Sequence, residues 1–160
     1  MVQDLIGREL IHLGSWTAAR RQELLEQLLP GNVRAPFFLV AAFSPAMAAK
    51  GSGSVINIGS MVGSLGLATG TGYGATKPVP AFLTRGWTAE YSGRGVRFNT
   101  VAPGPGHTRP EARDLFDALA ETTAMKRAAE PAEVVAFLAS PKAGCVTGAT
   151  IAVDGGRTAI

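Results

Sequence analysis

Three short apolar runs limit what this chain can fold into. Val55–Ile58 (VINI) ends in Gly59-Ser60, Val96–Ala102 (VRFNTVA) ends in Pro103-Gly104, and Ala149–Val153 (ATIAV) ends in Asp154-Gly155-Gly156. Each is too short for an independent helix, holds β-branched residues and is stopped by glycine or proline, which together read as a strand. The run at 55–58 reads as a strand covered on both faces, as in a parallel sheet. The intervals between the runs are long enough for helices. Strands alternating with helices argue for a parallel sheet with right-handed crossovers, which binds ligands at the carboxyl ends of its strands. Ser60 and the loop from Pro103 to Thr108 both fall at such ends.

The helices follow from apolar spacing and breakers. Ser15 or Thr17 can cap a helix that runs to about Leu29, with Leu24, Leu25, Leu28 and Leu29 as its apolar stripe; Pro30-Gly31 is expected to stop it. Asn32 opens a second helix to about Lys50. A third is expected from Tyr73 to about Tyr91, an amphipathic one over 111–125, and a short one from Pro131 to about Ser140. Residues 1–14 stay ambiguous, with Leu10–Leu13 a weak candidate for a further strand. His12 within it reads as a core or surface residue, since no second His or Cys stands nearby.

With 160 residues the chain is expected to form one domain over 1–160, large enough to bury most of its apolar surface. A hydrophobic share of 46% beside 17% charged residues argues against disorder, and no apolar run reaches the length of a membrane span. The start lacks a basic region followed by an apolar one, so no signal peptide is expected. The single cysteine, Cys145, cannot close an internal disulfide and is expected to be a small buried hydrophobe. A cytoplasmic location is the expectation from this composition. A net charge of +3 with no basic stripe points away from nucleic acid. No set of residues has metal-ligand spacing.

Chemistry gathers between residues 60 and 77. Tyr73 follows Ser60 by thirteen positions, and Lys77 stands four residues beyond Tyr73, one helical turn away and on the same face. An ammonium beside a phenol lowers the phenol's pKa, which suits proton exchange with a substrate hydroxyl near neutral pH. Ser60 at a strand end could hold the substrate oxygen. An ordinary strand–loop–helix unit with a surface tyrosine and lysine is the bland alternative.

From Asn32 onward the chain resembles the short-chain dehydrogenase/reductase family. Asn32 in NVRAPFFLV, Ser60 in VINIGSMVG, Tyr73 and Lys77 in YGATK, VRFNTVAPGP at 96–105 and VTGATIAVDGG at 146–156 occur in the family's order and cover about four-fifths of the chain. The resemblance implies an α/β fold: an incomplete Rossmann-like doubly wound parallel sheet, with three strands and flanking helices, forming the carboxyl-terminal part of the family's domain. It implies a catalytic set of Asn32, Ser60, Tyr73 and Lys77. Tyr73 would be the acid/base, Lys77 would lower its pKa and bind the nicotinamide ribose, Ser60 would orient the substrate oxygen and Asn32 would hold a relay water. Tyr73, Lys77, Pro103, Gly104, Gly106 and Thr108 would lie along NAD or NADP. The partners implied are a small alcohol or carbonyl substrate and further copies of this chain, with the helices at 36–50 and 73–91 as the dimer surface.

Four departures qualify the resemblance. No Gly-x-x-x-Gly-x-Gly turn precedes Asn32, so the amino-terminal, pyrophosphate-binding half of the family's domain is expected to be missing. Pro78 and Pro80 follow Lys77, and proline pushes the preceding residue out of the α region. Gly106 stands where the family usually has a branched apolar residue, and the helix from Pro131 looks about one turn short. His107 reads as a solvated loop residue, Trp16 and Trp87 as packing, Met61 and Met125 as gap-filling core. Two functions stay open: a hydride-transferring oxidoreductase, alone or completed by another chain, and an inactive, truncated remnant that keeps the dimerisation helices.

Overall fold

The computed structural model describes residues 18–67, 71–107 and 110–160. The candidate strand at 10–13, the capping Ser15 or Thr17, His12, Trp16 and Thr108 lie outside them. The sheet is α/β in character and parallel throughout. β1 (Gly53–Ile58), β2 (Val96–Pro103) and β3 (Thr150–Val153) lie side by side in that order. β1 pairs with β2 from Gly53↔Val96 to Ile58↔Val101, and β2 pairs with β3 from Thr100↔Thr150 to Pro103↔Val153. Among the described residues, β1 has no partner on its other edge.

Side chains alternate across the sheet as strand geometry requires. On one face Val55, Val96 and Phe98 pack with Val40, Ala48, Trp87 and Tyr91, from α2 (Ala35–Lys50) and α4 (Pro78–Tyr91). Phe98 is fully buried, with its ring 6.0 Å from Trp87 and 5.8 Å from Tyr91. Burying a side chain of that size is worth about 1.5–3 kcal/mol. On the other face Ile56, Val101 and Ile151 pack with Val134, Val135 and Leu138 of α6 (Ala132–Ala139). Both faces are therefore covered by helix. Asn57, beside the active end of β1, is buried on the first face and donates to Thr84 Oγ1 at 2.9 Å, and Thr84 in turn shares a hydrogen bond with Thr100.

Pro30-Gly31 does not end the first helix. α1 (Ala18–Leu29) runs through a widened, π-type turn at Pro30–Arg34 directly into α2. Pro30 interrupts the ladder inside the rod, and the widened turn takes it up, the Ala35 N–H reaching back five residues to the Pro30 carbonyl. α3 (Thr71–Thr76) is a separate short helix before α4, and the expected helix at 111–125 is a single 3₁₀ turn followed by α5 (Arg113–Ala120). Cys145 is exposed, contrary to expectation: Ala143, at the end of a 3₁₀ turn over Pro141–Ala143, occupies the buried place. Trp87 is core as expected and Met61 is buried, whereas Met125 is 56% exposed.

Candidate active site

β1 ends at Ile58, and the chain turns through Gly59 and an extended Ser60 into a short 3₁₀ turn at Met61–Gly63. Ser60 caps that turn, its Oγ accepting from the Val62 N–H at 3.4 Å. The turn packs closely on the end of α3: a Cβ on Gly63 would stand 3.2 Å from the Lys77 carbonyl, tighter than ordinary contact, so glycine eases the approach. This brings the Tyr73 phenol beside Ser60, near enough for the serine side chain to act on its ionisation.

Lys77 lies on the same side. Its Nζ donates to the Ile58 carbonyl at 3.3 Å and stands 5.1 Å from the centre of the Tyr73 ring. The ammonium has three N–H donors, so two remain for another acceptor. Pro78 does not drive Lys77 out of the α region: its φ is −79° and ψ is −20°. Opening ψ toward zero relieves the clash with the proline ring while Lys77 stays helical. The ladder bond from the Lys77 N–H to the Tyr73 carbonyl survives at 3.2 Å. Both side chains therefore keep one face despite the break.

Burial governs the ionisation of the pair. It pushes the Tyr73 phenol above its ordinary value, and the nearby Ser60 side chain opposes this without overcoming it. Burial also holds the Lys77 ammonium below its usual range. The expected lowering of Tyr73 by Lys77 is thus not seen in this chain; desolvation is the larger effect.

Asn32 enters from the widened turn. Its amide Nδ2 donates to Thr76 Oγ1 at 2.9 Å, and Thr76 Oγ1 donates to the Tyr73 carbonyl at 2.8 Å. Thr76 was not singled out from the sequence; the signal was a hydroxyl residue immediately before Lys77, with nothing to mark its distant partner.

The loop after β2 forms the other wall. Pro103 ends the strand, and the Gly104 N–H donates to the Val153 carbonyl at 2.9 Å. A Cβ on Gly104 would meet Asp154 Cα at 2.6 Å, and one on Gly106 would meet the Ala129 carbonyl oxygen at 3.1 Å. The Ala129 N–H also reaches the Pro105 carbonyl at 2.6 Å. This packing suits glycine at 106: a side chain there would crowd the Ala129 carbonyl. His107, expected to be merely solvated, is exposed but pairs with Asp117 of α5 through Nε2 and Oδ1 at 2.6 Å.

A serine at a strand end, a tyrosine beside it and a lysine one turn on, next to a glycine-rich loop from the neighbouring strand, form one constellation. Residues 10–158 match the family described as enoyl-(acyl carrier protein) reductase. This chain belongs to the short-chain dehydrogenase/reductase family. It is 42% identical over 142 residues to galactitol 2-dehydrogenase (L-tagatose-forming) from Cereibacter sphaeroides, covering 82% of this chain and 56% of that one. A solved short-chain dehydrogenase/reductase family protein superposes with a TM-score of 0.78 at 41% identity, covering 91% of this chain and 61% of that one. A solved structure from Beutenbergia cavernae, with NADP bound at low occupancy, gives 0.77 at 34% identity, covering 91% and 60%. The chain spans about half the length of the curated relatives it matches. Among the described residues no helix is long and apolar enough to cross a membrane.

Proposed function

We propose that this chain carries the catalytic end of a short-chain oxidoreductase, which moves a hydride between NAD or NADP and the carbon of a small alcohol or carbonyl substrate. The observation that carries this reading is the gathering of Ser60, Tyr73 and Lys77 at the end of β1, with the Lys77 Nζ 5.1 Å from the centre of the Tyr73 ring. The donor set fits the nicotinamide end of such a cofactor. The two free N–H groups of Lys77 and the Tyr73 hydroxyl would hold ribose oxygens, with Pro103, Gly104 and Gly106 along the other wall. When bound, the cofactor supplies the hydride. Tyr73, kept protonated by burial, gives its proton to the substrate oxygen in the reducing direction, while Ser60 orients that oxygen. Lys77 stabilises the phenolate left behind, and Asn32 lies behind the segment that carries both.

A second reading is favoured by what the described residues lack. No glycine-rich strand–turn–helix unit stands ready to cradle a pyrophosphate, and such a cradle supplies much of a dinucleotide's binding through backbone N–H groups at a helix start. On this reading the chain by itself is inactive and serves as a dimerisation module through α2 and α4. One experiment separates the two: titration with NADH and NADPH by nucleotide fluorescence, together with turnover of the Tyr73→Phe variant. We expect saturation only at millimolar concentration for the chain alone, since each lost charge-assisted hydrogen bond costs about 1.5–3 kcal/mol. Where turnover is seen, Tyr73→Phe should lower it about 10²–10⁴-fold. An unchanged rate would end the assignment of Tyr73, and saturation at low micromolar concentration would place the whole cofactor site in this chain.

A further inference from the structure

We propose that Thr76 is a positioning residue: its hydroxyl links the Asn32 amide to the Tyr73 carbonyl and so fixes α3 against the widened turn at 30–34. The inference rests on the reading of Tyr73 as the proton donor. α3 needs such a link. It has six residues, two of them glycine, and Pro78 stops its hydrogen-bond ladder at Lys77. A helix this short does not hold itself together, and each glycine weakens it by about 1 kcal/mol relative to alanine. Thr76 is its one buried residue, at 1% exposure. Its Oγ1 satisfies both of its bonding directions, accepting from Asn32 Nδ2 and donating to the Tyr73 oxygen. The Asn32 amide reaches Thr76 from the π-type turn, where the rod of α1 and α2 lies beside α3.

The test reads where Tyr73 sits, with no cofactor or substrate. The chain has two tyrosines, so a Tyr91→Phe background, which keeps that ring's packing, leaves one phenol to titrate by phenolate absorbance. Burial raises the phenol, so freeing α3 should let water in and bring the midpoint of Thr76→Val down toward the ordinary tyrosine value of about 10. Thr76→Ser, which keeps the hydroxyl, should hold the native midpoint. Should Thr76→Val fail to fold, Asn32→Ala breaks the same link from its half-exposed side and should show the same fall. The double variant Asn32→Ala/Thr76→Val should fall no further than either single one, because the two side chains act as one link. A native midpoint in Asn32→Ala and in any folded Thr76→Val, with only the melting temperature lowered, overturns the proposal. Where turnover is measurable, Thr76→Val should lose about 10²-fold in kcat, as for a displaced catalytic group, and Thr76→Ser should restore it. The titration decides about Thr76 even if Tyr73→Phe leaves the rate unchanged and the reading of Tyr73 falls.

Discussion

Asp154 is buried, and its charge is met from within one turn of chain. Oδ1 accepts from the Gly156 N–H at 3.0 Å, and Oδ2 from the Thr158 N–H at 2.9 Å and the Thr158 hydroxyl. Burial alone would raise its pKa, but these bonds together outweigh it and hold the carboxyl below the usual aspartate value. A depressed folded-state pKa adds stability that is complete above the unfolded value of about 3.9 and is lost as pH falls through the folded one. Urea unfolding should therefore show Asp154→Ala less stable than the parent by about 1–3 kcal/mol at pH 7, with the gap closing in strong acid. A gap that persists there would assign the effect to packing. The cost should reach the active site, because Gly104 rests against the Asp154 backbone. At this scale the sequence was readable where chemistry and spacing coincide. Ser60, Tyr73 and Lys77 could be picked out because strand end and helical turn fix their separations. Thr76 could not, because its partner is forty-four residues away and is brought to it only by tertiary packing.

The helices divide the same way. The three strands were legible because short apolar runs with β-branched residues each ended in glycine or proline. The prolines misled, because both of their effects depend on position in a helix. Pro30 was read as a stop, yet it opens a wider turn; Pro78 was read as a disruption, yet it starts α4, where its fixed φ suits a first helical residue. Since Lys77 is already helical, Pro78→Ala has almost no helix to restore. We expect far-ultraviolet circular dichroism to stay nearly unchanged and stability to fall by about 0.4–1 kcal/mol, through greater freedom of the unfolded chain. A gain of a full turn of helical signal would mean that the segments are disjoined in solution.

As a whole, the molecule covers its sheet on both faces yet leaves apolar surface outside. Phe37, Phe38, Leu39 and Phe43 on α2 and Phe82 on α4 are exposed, Phe82 by 73%, and Ile58 at the end of edge strand β1 by 50%. Phe37 stands 6.4 Å from Trp87, so the outer patch on α2 meets α4. Surface of this kind favours pairing with another chain. Light scattering at micromolar concentration should find a dimer or larger species, and a well-behaved monomer would count against the helices as a contact surface. The widened turn at 30–34 also sets the phase of the long rod. At about 100° per residue, the twelve steps from Leu28 to Val40 would leave these side chains about 120° apart in an unbroken α-helix, but only about 20° apart once a π-type turn has absorbed one residue. Both are buried; α1 lies beside α3, and Val40 packs with Trp87 and Tyr91 of α4. The extra residue beside Asn32 therefore lets one rod present a single apolar side to two consecutive helices, and a chain one residue shorter between Leu29 and Ala35 would have to release one of those contacts to keep the other.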